Sequence, residues 1–311
     1  MKNTKVIFMG TPDFAVPILE TLIEHTDVVM VVTQPDKEVG RHHELVPTPI
    51  KKVAIEHGIN IYQPTKIKEE FMPIVNANAD IIITCAYGQI IPEIILNNPK
   101  FGCINVHASL LPKLRGGAPI HHAIIDGEEK TGITIMYMDK KMDTGDIIAS
   151  REYIIKDDDN VGTLHDKLSQ IGKELLIETL PSIVSGTNTR TPQNNEEATY
   201  AWNITREEEH LDFNASAKEI YNKVRGLYPW PTANTIINGL EVKVLECYIS
   251  DKDSNLSSGT ICEINKESIG ICTKDKVIYI TKVKPFGKKA MPALDYINGL
   301  NKEKILHSIV E

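Results

Sequence analysis

The chain has 311 residues, a net charge of −8, 41% apolar residues and 24% charged ones, a composition that excludes dominant disorder. It contains no run of 18 apolar residues and starts without a signal-peptide pattern, so a soluble, cytoplasmic protein is expected. Its five cysteines include no C-x-x-C pair, which argues against a disulfide framework or a cysteine zinc site; Cys85 and Cys103 sit in apolar runs as buried thiols.

Lys5–Met9 predicts a buried strand ending at Gly10, followed by an amphipathic helix over Ala15–Glu24 and a strand over Asp27–Thr33. Pro49–His57 predicts a helix stopped by Gly58. Further apolar strands are predicted over Asp80–Ala86, Cys103–His107 and Gly132–Met138. Continuous apolar strands separated by helices specify a mostly parallel sheet covered on both faces, a doubly wound α/β domain. Leu164–Val184 closes it as a helix that Pro181 could shorten. The polar, turn-rich stretch that follows suits a linker. After a helix over Ala215–Leu227, short β runs at 233–237, 242–248, 259–264, 269–273 and 277–283 predict a small barrel, with the OB type leading. Asn238-Gly239 marks a hairpin between the first two. The expected division is 1–189, a linker over 190–206, and 207–311.

Ligands of open α/β sheets bind beyond the carboxyl ends of the strands. Three such ends are candidates: Gly10–Phe14, Tyr87-Gly88-Gln89 and Asn105–Ser109. The first lacks G-x-G-x-x-G, so no dinucleotide fingerprint is present. Asn105 and His107 are two apart on an apolar strand, so they face one side and need polar partners. A Pro- and Gly-rich loop follows them, the kind of irregular segment that carries binding function. Asp143, beyond the next strand, supplies a third polar group for the same edge. The acidic net charge disfavours nucleic acid, yet Lys274–Lys289 holds six lysines against Asp275 and can attract phosphate locally.

The stretch Gly102-Cys-Ile-Asn-Val-His-Ala-Ser-Leu-Leu-Pro-Lys-Leu-Arg-Gly-Gly-Ala-Pro119 resembles the signature of the folate-dependent formyltransferases. Asp139–Asp146 resembles their second signature. Met9–Phe14 narrows the resemblance to the branch acting on methionyl-tRNA, and Arg225–Pro231 and Pro285–Met291 resemble the C-terminal part of that branch. The resemblance implies a Rossmann-like catalytic domain, a linker and an OB-like barrel. It implies formyl transfer from 10-formyltetrahydrofolate, as co-substrate, to the α-amino group of methionine on initiator tRNA. Asn105, His107 and Asp143 are then catalytic, and Ser109, Leu110, Leu111 and Pro112 contact the folate. Tyr87, Gly88, Gln89 and Ile90 are expected to line the pterin pocket.

Amine attack on the formyl carbon creates an oxyanion, to which the Asn105 amide and a protonated His107 can donate; one such donor is worth roughly 3–4 kcal/mol. His107 suits proton transfer near neutral pH, with Asp143 fixing its tautomer and favouring the imidazolium. Which transfer runs through water stays open. The loop Asp36–Pro49 resembles an insertion that reaches the acceptor end of tRNA, with Arg41 as a contact. It departs from the family in carrying His42-His43-Glu44 where basic residues are common. Lys282–Lys289 is the second expected tRNA contact, through Lys288 and Lys289. No metal is required. Neither His42-His43 nor His121-His122 makes a metal site, because adjacent residues face different ways. No membrane and no obligate protein partner are implied.

Three other readings share part of this pattern. An amino-sugar nucleotide formyltransferase would use the same three polar residues, but Gly10–Phe14 and Lys288-Lys289 argue against it. A formyl-folate hydrolase has no use for the basic C-terminal part. An RNA-binding module on an inactive scaffold would not need all three chemical residues.

Overall fold

The computed structural model describes residues 1–40, 43–300 and 302–310. Two compact units emerge: Met1–Pro119, Lys130–Ile154 and His165–Trp202 form the first, and Ile120–Glu129, Ile155–Leu164 and Asn203–Glu311 the second.

The elements of the first part of the chain are β1 (Lys5–Gly10), α1 (Val16–His25), β2 (Asp27–Val32), β3 (Lys37–Val39), β4 (Glu44–Val46), α2 (Pro49–Glu56), β5 (Ile61–Tyr62), α3 (Met72–Asn76), β6 (Ile81–Cys85), α4 (Glu93–Leu96), β7 (Cys103–His107), α5 (Pro119–Ile125), β8 (Lys130–Tyr137), β9 (Ile147–Ile154) and α6 (Val161–Ser185). A seven-stranded sheet runs β5-β2-β1-β6-β7-β8-β9. Pairings from β5 to β7 are parallel, while β8 and β9 add antiparallel. This is a Rossmann-like, mostly parallel sheet. The fully buried β6 and nearly buried β1 fit its centre. Alternation puts Ile7, Met9, Val32, Ile82 and Cys103 on one face with Ile74 and Ile95 of α3 and α4. Val106 points to the other face, where an added Cβ on Gly172 of α6 would lie 3.1 Å from it.

Three features differ from the sequence reading. β8 runs antiparallel, and β9 was not expected: its alternating half-buried residues are those of an edge strand. α6 continues through Pro181 to Ser185, giving up one hydrogen bond near its end. The stretch 190–206 is no free tether. Thr191 pairs with Ile147 and Tyr200 with Arg115 in isolated bridges.

At the carboxyl end of β2, Asp36 accepts from Lys51 Nζ and from Gln63 Nε2 at 2.7 Å. Lys51 above all, then Gln63, holds its carboxyl below the ordinary value. A depressed carboxylate stabilises the fold above its unfolded pKa and loses that contribution as pH falls through the folded one. Asp36→Asn is therefore expected to lower stability at neutral pH and to flatten its decline below about pH 4. Thermal melts across pH 2–7 check this; parallel parent and variant curves would refute it.

The second unit carries α7 (Ala217–Gly226), β10 (Asn234–Ile237), β11 (Leu240–Asp253), β12 (Ile261–Ile264), β13 (Ile269–Cys272), β14 (Lys276–Pro285), β15 (Met291–Pro292), α8 (Ala293–Asn298) and α9 (Lys302–Ile305). The antiparallel sheet runs β10-β11-β14-β13-β12, with β15 on β14. Register shifts along the long β11 bend it, curling the sheet into a partial barrel around Val242, Val244, Ile261, Ile271, Ile278 and Ile280. α7 starts at a Ser216–Glu219 capping box and packs Ile220 and Val224 on that core. α5 belongs to this unit: His121 Nδ1 donates to Gly226 O at 2.9 Å, and Ile125 packs against the barrel core.

Candidate active site

The chemistry-bearing side chains collect where β7 ends. Asn105 sits beside Thr84 of β6 in register. The Thr84 hydroxyl donates to Asn105 Oδ1 at 2.8 Å, which fixes the amide and leaves its NH₂ group unengaged among the described residues. His107 is buried. Its Nε2 donates to Leu114 O at 3.0 Å, and its Nδ1 lies 3.7 Å from Asp143 Oδ1. A carbonyl only accepts, so Nε2 carries a proton, and Nδ1 is the ring nitrogen that faces Asp143. This corrects the expected division of labour. The Leu114 carbonyl orients the ring through Nε2, while Asp143 stands beyond hydrogen-bond length of Nδ1.

Asp143 is itself held from several sides. Its backbone adopts φ 53°, and its Oδ2 accepts from Gly116 N at 2.9 Å. Gln193 Nε2 donates to Asp143 O at 2.9 Å and to Gly145 O at 2.8 Å. The same side chain accepts through Oε1 from Arg115 Nε and Nη2, at 3.1 and 2.7 Å. Arg115 Nη2 also reaches Asn195 Oδ1 at 2.9 Å. Backbone bonds lock the same segment to the loop after β7: Arg115 N to Thr199 O, and Ala201 N to Arg115 O. Gly116 admits this close approach, since a Cβ there would fall 2.4 Å from Ala201 O. Gln193, Asn195, Thr199 and Ala201 were missed because their polar stretch reads as a linker.

In the loop expected to meet folate, Ser109 is fully buried and donates from Oγ to Lys113 O at 2.6 Å. Its hydroxyl closes a turn and is not presented to a ligand. Thr134 of β8 braces the loop by donating to Ser109 O at 2.7 Å and accepting from Leu111 N at 3.2 Å. Leu111 is buried, Leu110 and Pro112 are partly exposed, and the Leu111–Pro112 peptide is cis.

The N-terminal formyl transferase profile matches residues 2–180 and the formyl transferase C-terminal domain profile matches residues 203–301. The chain belongs to the formyl transferase family. Among relatives, the methionyl-tRNA formyltransferase of Staphylococcus epidermidis is 51% identical over 305 residues, spanning 97% of this chain and 98% of that protein. The Staphylococcus aureus enzyme of the same name is 49% identical over 299 residues, 95% of this chain and 96% of its own. The fold resembles the N-formyltransferase from Helicobacter canadensis in complex with folinic acid and dTDP-3-aminofucose (TM-score 0.67, 20% identity, 89% of this chain and 99% of that one). It also resembles HypX from Aquifex aeolicus in complex with tetrahydrofolic acid (TM-score 0.63, 16% identity, 95% of this chain and 47% of that one).

In this formyl transferase the Tyr87–Ile90 loop sits beyond β6, turned by Ala86 and Gly88 at φ 50° and 93°. Gln89 accepts from Ile67 N and donates to Pro64 O and Gln34 Oε1, so its amide ties three strand-end loops together. Ile90 is exposed. Tyr87 is buried and its hydroxyl has no partner among the described residues; burial pushes the phenol pKa up.

Arg41 and His42 lie outside the described residues; the flanking β3 and β4 pair as a hairpin. Lys288 and Lys289 are exposed in the turn between β14 and β15, where Lys288 N donates to Pro285 O at 3.0 Å. His121 and His122 face different partners, Gly226 O and Asp126. Among the described residues, no three His, Cys, Asp or Glu side chains cluster as a metal site, and no helix is long and apolar enough to cross a membrane.

Proposed function

We propose that the chain transfers the formyl group of 10-formyltetrahydrofolate to the α-amino group of methionine on initiator tRNA. The observation that carries this reading is the 51% identity to a methionyl-tRNA formyltransferase along nearly the whole of both chains. Family membership alone would leave the acceptor open. Residues 207–311 supply tRNA binding in this reading, and the first part of the chain supplies the chemistry.

Asn105, His107 and Asp143 are the proposed catalytic groups. With Oδ1 tied to Thr84, Asn105 presents its NH₂ to the formyl oxygen as that atom gains negative charge. His107, its Nε2–H committed to Leu114 O, takes the amine proton on Nδ1. The Asp143 carboxylate, 3.7 Å away, stabilises the imidazolium so formed. The new amine–carbon bond forms as the bond from formyl carbon to folate N10 breaks, and the proton ends on N10. Folate contacts fall to Leu110, Leu111, Pro112 and the backbone of Ser109, with the Tyr87–Ile90 loop beside the pterin.

Single-turnover transfer to charged initiator tRNA, with elongator methionyl-tRNA alongside, tests the reading. Formylation of the initiator alone is expected. Folate consumption with no formylated tRNA, or formylation of an amino-sugar nucleotide instead, would overturn it. On the barrel, Lys288→Ala/Lys289→Ala is expected to raise the tRNA KM and reduce its log–log salt slope by about 0.7–0.9 per lost phosphate contact. An unchanged slope would remove this turn from the interface.

A further inference from the structure

Beside the Asp143 turn lies a cavity of about 470 Å³ lined by Arg115, Lys140, Lys141, Thr144, Asn195 and Tyr200, with Asp139 at its wall. Its lining carries three cationic side chains, Arg115, Lys140 and Lys141, against one carboxylate, Asp139. Asp139 spends both carboxylate oxygens on the Thr144 hydroxyl, at 2.7 and 2.8 Å, and one of them also on Lys141 N at 3.0 Å. Lys140 meets Glu93 at 4.0 Å with both groups largely exposed, a contact that holds little charge in place. The Arg115 guanidinium is 2% exposed and touches two neutral amides, Gln193 and Asn195. Among the described residues no carboxylate pairs with it. A buried guanidinium without a counter-ion is costly unless an anion completes it.

The rim adds a second observation. Tyr200 and Trp202 are 50% and 60% exposed, yet their rings stack at 5.4 Å with only 4° between planes. An exposed, stacked aromatic pair beside a cavity of net positive lining matches a nucleotide: phosphate in the cavity, base on the rings.

We propose that this cavity binds the 3′-terminal nucleotide of the aminoacyl-tRNA. Lys140 and Lys141 meet its phosphate, the buried Arg115 charge lies behind them, and the Tyr200–Trp202 pair stacks on a terminal base. The proposal rests on the reaction assigned above, because the amine to be formylated is esterified to that nucleotide. Thr144 lines the cavity and is next in sequence to Asp143, so an occupant lies beside the turn that carries the proposed catalytic carboxylate. The folate tail, also anionic, lacks a base to stack.

Two measurements test this. In steady state, Lys140→Ala/Lys141→Ala raises the methionyl-tRNA KM roughly tenfold and lowers its salt slope by about 0.7 per contact, with the 10-formyltetrahydrofolate KM unchanged. A rise confined to the folate KM, or no change in either, overturns the proposal. Independently of turnover, the trinucleotide CpCpA quenches tryptophan fluorescence, and the quench disappears in Trp202→Phe and weakens in the lysine double variant. No quench in a parent protein that formylates methionyl-tRNA overturns the cavity assignment and leaves the reaction standing. A quench lost with Trp202, in a protein that formylates no tRNA, supports the nucleotide site and overturns the reaction.

Discussion

Asn105→Ala is expected to lower the single-turnover formylation rate by about 10²–10³, the range for removing one donor to a developing oxyanion. His107→Ala is expected to lower it by about 10²–10⁴, the contribution of a positioned acid–base group. The two variants separate on stability. The Asn105 NH₂ makes no bond among the described residues, and truncation there leaves the Thr84 hydroxyl with Ile104 O as an alternative acceptor. His107→Ala strips the buried Leu114 carbonyl of its donor, a loss of about 1–3 kcal/mol. Urea unfolding beside single-turnover rates distinguishes the effects. If both variants were folded and retained parental rates, the catalytic assignment would fall.

Gln193→Leu is the second large effect. One side chain accepts twice from the buried Arg115 and donates to the Asp143 and Gly145 carbonyls. Leucine leaves the guanidinium with Asn195 alone and the Asp143 turn without its brace. Losing hydrogen bonds from a buried charged group in this way costs about 1.5–3 kcal/mol for each bond. The rate should fall too, since Asp143 is positioned by that turn. Gln193→Glu separates the two: its carboxylate retains the Arg115 contacts but cannot donate to the carbonyls. Stability should return while the rate stays low. Recovery of both, or parental values for Gln193→Leu, would show that Gln193 does not position Asp143.

The polar cluster at the end of β7 was legible because Asn105 and His107 break an apolar strand at a spacing of two, and polar groups there need partners. The parallel strands were legible for the same reason: burial on both faces leaves an unbroken apolar run. β9 was not, since its alternating polar residues are those of an edge strand. The Gln193–Ala201 segment was illegible for a deeper reason. Its composition is that of a solvated tether, and its long-range hydrogen bonds run to residues 48 to 86 positions away. Local pattern carries no trace of such pairings. Ser109 shows the converse: its place in the loop was readable, but the inward turn of its hydroxyl was not.

The membership of α5 in the second unit has a consequence for synthesis. His121 must find Gly226, 105 residues later, and Ile125 must find a barrel core built from residues after 203. At about 5–20 residues per second, the ribosome takes roughly 5–20 s to supply that partner. Throughout that interval the nascent chain carries an apolar helix face whose docking surface has not yet been translated. Pausing between codons 126 and 226 therefore lengthens the window for chaperone capture, whereas slowing within the first hundred codons leaves it unchanged.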